Sequence, residues 1–142
     1  MRRGENLLPD DIDIRLEDTQ LVLEGDSRVI FVYLFGGLES GRRSPLSDVD
    51  IAVYLDSNVD ISSTKLDLIG MITDALATDE LDLIILNETP LSLAGRIQKS
   101  AKILVDKSPS RRYDYESLIR RQFADFQIKE AAILRQRFGI NG

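Results

Sequence analysis

The chain of 142 residues contains no cysteine, no histidine and no tryptophan. Without cysteine there is no disulfide framework and no thiolate metal site. Without histidine, Ser-His-Asp and Cys-His catalysis, imidazole zinc sites and the usual neutral-pH general base are excluded. Any chemistry must rest on carboxylates, hydroxyls, lysine or arginine, and a bound cation. Long apolar runs are missing as well. No segment approaches the ~20 apolar residues that a spanning helix needs. The first residues, MRRGENLLPDD, lack the apolar stretch of a signal peptide. A cytoplasmic location with no membrane contact is the expectation.

What is present suits one folded domain over 1–142, long enough to bury a core without staples. The net charge of −6 is uneven. Residues 1–110 carry eleven Lys/Arg against twenty Asp/Glu, and residues 111–142 carry seven against four. An acidic body argues against direct nucleic-acid binding, which needs a basic footprint. The mildly basic tail is a solvated helix face or a contact for an acidic partner.

Helices alternate with strands through the middle, which predicts a compact α/β (α+β) domain. RVIFVYLF (28–35) reads as a buried strand ended by glycines, and DIAVYL (50–55) as a second. STKLDLIGMITDALA (63–77) has a helical stripe through Leu66, Ile69, Ile72 and Leu76. LDLIIL (81–86) is a third strand, PLSLAGRIQKSA (90–101) a helix with proline in its first turn, and KILVD (102–106) an edge strand. Ahead of these lies a weaker helical pattern over 10–24, through Ile14, Leu16, Leu21 and Leu23. After them, from about 113 or 115 to 138, comes a long helix with a stripe through Leu118, Phe123, Phe126, Ile133 and Leu134, suited to the core or to a partner. DKSPSRR (106–112) is the one plausible linker, too short to separate a second domain from the core at about 10–106.

The chemistry concentrates in FGGLESGRRSPLSDVDIAV. Positions i and i+2 of a strand share a face, so Asp48 and Asp50 project together, with Val49, Ile51 and Val53 opposite. Two adjacent carboxylates repel unless solvent or a cation relieves them, and Mg²⁺ commonly binds one or two carboxylates plus substrate phosphates. An isolated D-x-D is most simply a pair of turn aspartates. Here, however, Gly36 and Gly37 end a strand expected to lie beside it, where backbone N–H groups can meet phosphate oxygens. Asp82 begins the third strand and joins the pair if that strand lies next to 50–55. A nucleoside triphosphate with Mg²⁺ needs such a combination. Arg42 and Arg43 either steer a triphosphate or are solvated loop residues, and Tyr113 and Tyr115 are modification targets or aromatic anchors.

These residues resemble the motif of the DNA polymerase β-like nucleotidyltransferase superfamily, a glycine-serine pair followed about ten residues later by D-x-D. The minimal nucleotidyltransferase (MNT) group of prokaryotes is the nearest, and the third acid in ELDLIILNETP and the terminal helix fall as they do there. The resemblance implies a mixed sheet with helices on one face, the active site at the other and a long C-terminal helix. It implies that Asp48, Asp50 and Asp82 are catalytic and bind two Mg²⁺ ions, Asp82 also serving as general base. It implies nucleotide binding by Gly36, Gly37, Ser40, Gly41, Arg42 and Ser47. The implied reaction moves AMP from ATP to a hydroxyl, in many MNT proteins a tyrosine of a HEPN-domain RNase toxin that the MNT protein silences as antitoxin. Two other readings are an antitoxin acting mainly by contact and an adenylyltransferase of small-molecule (antibiotic) hydroxyls, whose larger relatives carry an added domain. A homodimer or a hetero-oligomer with the toxin fits this group. One position departs from the pattern: the family's usual serine is Gly37 here. Losing a hydrogen bond to a charged group costs on the order of 1.5–3 kcal/mol, enough to slow the reaction unless Ser40, Arg42 or Arg43 compensates.

Overall fold

The computed structural model describes residues 11–36 and 49–139. Its elements run α1 (Ile12–Glu24), β1 (Val29–Phe35), β2 (Val49–Leu55), α2 (Ile61–Leu76), β3 (Leu81–Ile85), a 3₁₀ turn (Leu86–Glu88), α3 (Leu91–Ser100), β4 (Lys102–Asp106) and α4 (Pro109–Phe138). Every expected element is present. Two helices start earlier than the apolar pattern suggested, because caps rather than apolar residues set their first turns. Asp60 accepts from the Ser63 amide at 3.0 Å and opens α2. Ser108 accepts from the Arg111 amide at 3.4 Å, with Pro109 at the first helical position of α4. The segment 106–112 is thus no linker: Asp106 closes β4 and only Lys107 separates it from the cap.

The strands form one mixed sheet in the order β3-β2-β1-β4. β1 pairs antiparallel with β2 and β4, and β2 pairs parallel with β3 across the α2 crossover. An irregularity between Val29 and Phe31 puts Val29 on the same face as Val32 and Leu34. That face packs with Val49, Ile51, Val53, Leu55, Leu83 and Ile85 against Leu23 of α1 and Leu68, Ile72 and Leu76 of α2. Leu68, not Leu66, belongs to the α2 stripe; Leu66 is exposed. In α1, Ile12 and Leu23 turn inward while Ile14 and Leu21 face solvent.

The opposite face is covered in part. α3 and the first turns of α4 pack on Ile30, Phe31, Tyr33, Ala52 and Tyr54 through Ile97 and Tyr115. The rings of Phe31 and Tyr54 stack with centroids 4.7 Å apart, and Tyr115 tilts onto both. Helices therefore lie on both faces, because this aromatic patch also has to leave water.

α4 is held by polar contacts more than by its anticipated stripe. Arg112, 7% exposed, donates to Asp106 Oδ2 and to Glu116 Oε1, each at 2.9 Å. Tyr33 Oη donates to Glu116 Oε2 at 2.5 Å, and Gln98 Nε2 to the Glu116 carbonyl at 2.7 Å. Gly95 of α3 gives the close approach, since a Cβ there would run into the Phe123 ring. Leu118, Phe126, Ile133 and Leu134 remain exposed. Among the described residues no helix is long and apolar enough to cross a membrane.

Two tyrosines at this junction behave oppositely. Tyr33→Phe removes the donor to Glu116 Oε2, leaving Arg112 on Oε1, and costs about 1–3 kcal/mol. The Tyr115 hydroxyl is buried without a hydrogen-bond partner, so Tyr115→Phe raises stability by about 1 kcal/mol. Burial pushes the Tyr115 hydroxyl up from 10.0 to about 12. The unfolded chain releases that proton first, so stability falls as pH rises from 10.0 towards about 12. Urea unfolding at intervals across this range checks both points: the alkaline loss is smaller in Tyr115→Phe than in the parent chain.

Candidate active site

β1 ends at Phe35, and Gly36 then adopts φ +80°, a left-handed conformation that glycine reaches without steric cost. Asp50, second residue of β2, lies opposite Phe35 in the antiparallel ladder. In the parallel ladder the same Asp50 lies opposite Asp82. Residues paired in register point to one face of a sheet, here the face of Ala52 and Ile84. Both aspartates are half-buried. A Cβ added to Gly36 would strike the Asp50 carboxylate and come within 3.0 Å of its Cγ. The carboxylate is therefore drawn in over the backbone at the end of β1. Gly36, Asp50 and Asp82, three of the residues expected at the site, come together at one end of three adjacent strands.

The register is fixed at both ends of the parallel pair. The Val49 amide donates to the Glu80 carbonyl at 2.8 Å. At the other end, Asn87 accepts from the Leu55 amide at 2.8 Å and donates to the Leu55 carbonyl at 2.9 Å, extending the ladder with a side chain. Neither Glu80 nor Asn87 was singled out from sequence. Glu80 is 1% exposed, an unusual burial for a carboxylate. The one sequence signal is its place between a turn and an alternating strand.

Asp48, Gly37, Ser40, Gly41, Arg42, Arg43 and Ser47 lie outside the described residues. Among the described residues no group of three metal-ligating side chains is gathered. The pair Asp50 and Asp82 nonetheless suits Mg²⁺, a hard cation often held by one or two carboxylates and completed by substrate phosphates. Clefts of about 330 Å³ beside Gly95 and Phe123, and about 270 Å³ beside Tyr54 and Tyr115, open along α4, and neither is lined by Asp50 or Asp82. Tyr115 serves as an anchor of α4, whereas Tyr113 is exposed, with the Arg112 guanidinium 4.4 Å from its ring centre.

The sequence profile of the family described as "Polymerase beta, Nucleotidyltransferase" matches residues 17–110, a span that contains Gly36, Asp48, Asp50 and Asp82. A comparison with curated proteins gave no match. Solved structures share the fold. One is a toxin–antitoxin with AMP-PNP, 21% identical over 84% of this chain and 96% of that chain, TM-score 0.68. Another is the toxin–antitoxin MntA-HepT, 20% identical over 87% and 97%, TM-score 0.65. A third is a tri-AMPylated Shewanella oneidensis HEPN toxin in complex with MNT antitoxin, 17% identical over 86% and 97%, TM-score 0.63.

The contact between Gly36 and Asp50 is open to a double-mutant cycle. Gly36→Ala incurs about 1–2 kcal/mol for a left-handed alanine, plus the displacement of the carboxylate. In an Asp50→Ala background only the backbone part remains, so the two changes are non-additive by more than ~0.5 kcal/mol in denaturant titrations. Additive penalties would mean that the carboxylate does not occupy the space over Gly36.

Proposed function

The chain belongs to the polymerase beta nucleotidyltransferase family, and we propose that it transfers AMP from ATP, with Mg²⁺, to a tyrosine hydroxyl of a HEPN-type RNase toxin, acting as that toxin's antitoxin. The observation that carries this reading is the registered pair Asp50 and Asp82 beside the left-handed Gly36. Two carboxylates set face to face at a strand mouth offer the oxygen ligands that a hard cation such as Mg²⁺ takes together with substrate phosphates. The structural likeness to an MNT antitoxin complexed with a tri-AMPylated HEPN toxin, and to a toxin–antitoxin with AMP-PNP, supports the choice of acceptor and nucleotide.

In this reading Asp48, Asp50 and Asp82 would hold two Mg²⁺ ions. Bound there, the ions would neutralise the triphosphate and steady the attacking and leaving oxygens. The backbone at Gly36 and Gly37 seats the phosphates, with Ser40, Gly41, Arg42 and Ser47 around them. Asp82 accepts the proton of the acceptor hydroxyl. The hydroxyl oxygen bonds to the α-phosphorus as the bond to the β-phosphate bridge breaks, and pyrophosphate leaves.

Gly37, in place of the family's usual serine, favours a second reading in which protection comes mainly from binding the toxin. One experiment separates the two. With ATP labelled at the α-phosphate, Mg²⁺ and the cognate toxin, the parent chain labels the toxin. Asp50→Asn reduces labelling on the order of 10²–10³-fold, the scale for removing a group that stabilises transition-state charge. The exposed Asp114→Asn serves as control. Undiminished labelling by Asp50→Asn overturns the mechanism. Full protection of cells by an Asp50→Asn chain that no longer labels the toxin establishes the binding reading instead.

A further inference from the structure

We propose that two copies of this chain pair reciprocally, the C-terminal half of α4 from one lying antiparallel along α1 of the other. α4 leaves its own domain after Phe123, one turn beyond its last buried residue Ile119, and continues to Phe138, a reach of roughly 20 Å at 1.5 Å per residue. The face that packs on α3 through Ile119 and Phe123 runs on as Phe126, Ile133 and Leu134, which are 40–54% exposed. Apolar residues in phase with a packed face, on a helix otherwise in water, ask for a covering surface.

The chain carries a complementary one. Ile14 and Leu21 of α1 are 61% and 66% exposed and seven residues apart, so they sit two turns apart on one side. Phe126 and Ile133 repeat that spacing. Antiparallel pairing sets Leu21 by Phe126 and Ile14 by Ile133, and antiparallel helix dipoles oppose favourably. The overall charges of the two helices are complementary in the same alignment. Between Ile14 and Leu21 stand the exposed Glu17 and Asp18, and between Phe126 and Ile133 stand the exposed Lys129 and Glu130. Over residues 120–138 α4 has five Lys/Arg against two Asp/Glu, whereas α1 has four Asp/Glu against one Arg. Two α4 arms laid on each other would face like charges, and an arm laid on α1 does not.

Reciprocity follows from size and closure. One helix on one helix is small beside the ~1,200 Å² of a stable interface, and a two-fold exchange doubles it. A one-sided contact would instead propagate head to tail as an open filament. α1 packs on the sheet face opposite to Asp50 and Asp82, so the pairing leaves the candidate active site open and does not rest on the proposed reaction.

Light scattering on the purified chain tests the arrangement, and a mass of twice 16.0 kDa is expected. Glu17→Arg with Asp18→Arg turns α1 basic, and Lys129→Glu with Arg137→Glu turns the arm acidic. Each variant alone is expected at 16.0 kDa with unchanged helical circular dichroism. Mixed together, they form the dimer again, because both exchanged contacts then join opposite charges. A monomeric parent chain overturns the proposal. So does an α1 variant that still dimerises, which would mean that the arms pair with each other. Higher oligomers growing with concentration would also overturn it, since they mark an open contact.

Discussion

The parallel pairing of β2 with β3 is the constraint on which the rest of the structure depends. Parallel neighbours need a crossover, and α2 supplies it while burying Leu68, Ile72 and Leu76 against the sheet. The pairing brings Asp50 and Asp82 level. A slip of one residue would turn one of them to the face covered by α1 and α2 and bring a leucine or isoleucine out in its place. Glu80 at one end and Asn87 at the other hold the ladder against that slip. Their bonds lie outside the strands proper, yet they determine which side chains meet at the site.

The second structural requirement is the polar seam under α4. Arg112, Asp106, Glu116 and Tyr33 link the edge strand, the adjacent strand and the helix. Buried charges are costly unless paired and hydrogen-bonded, and here the one guanidinium of Arg112 serves both carboxylates. Such a seam fixes direction more than it adds stability. The guanidinium and carboxylate fit in one geometry, and the helix leaves the domain along a defined line. Its outer half is thereby carried clear of its own sheet with an apolar face still uncovered.

Much of the fold was legible in the sequence because its signals are local. The apolar runs 28–35 and 81–86 and the alternation around Asp82 mark strands whose ends agree with the structure to within about a residue or two. Gly36 announced the end of β1, and its left-handed backbone explains why glycine stands there. Other features differ from the local pattern for a physical reason. Leu66, Ile14 and Leu21 have helical spacing but face water, because periodicity does not say which side of a helix meets the sheet. The first turns of α4 read as a linker because Ser, Pro and Arg also suit loops. Here a serine cap and Pro109 start the helix, and Arg112 is buried between Asp106 at the end of β4 and Glu116 one turn on.

The sequence by itself determined the repertoire. The absence of histidine and cysteine confined the chemistry to carboxylates, hydroxyls, lysine or arginine and a cation, and the D-x-D after two glycines with a third acid downstream named the candidates. The tertiary structure decided which of them meet. Asp50 and Asp82 are thirty-two positions apart in the chain, and only the parallel register sets them opposite each other, with the Asp50 carboxylate over Gly36. It decided the course of α4 as well. The helix is a local property of 109–138, but the length that packs is set where the covering surface of α3 ends. Local preferences propose elements, whereas register and burial are settled between residues far apart in the chain, where no sequence window reaches.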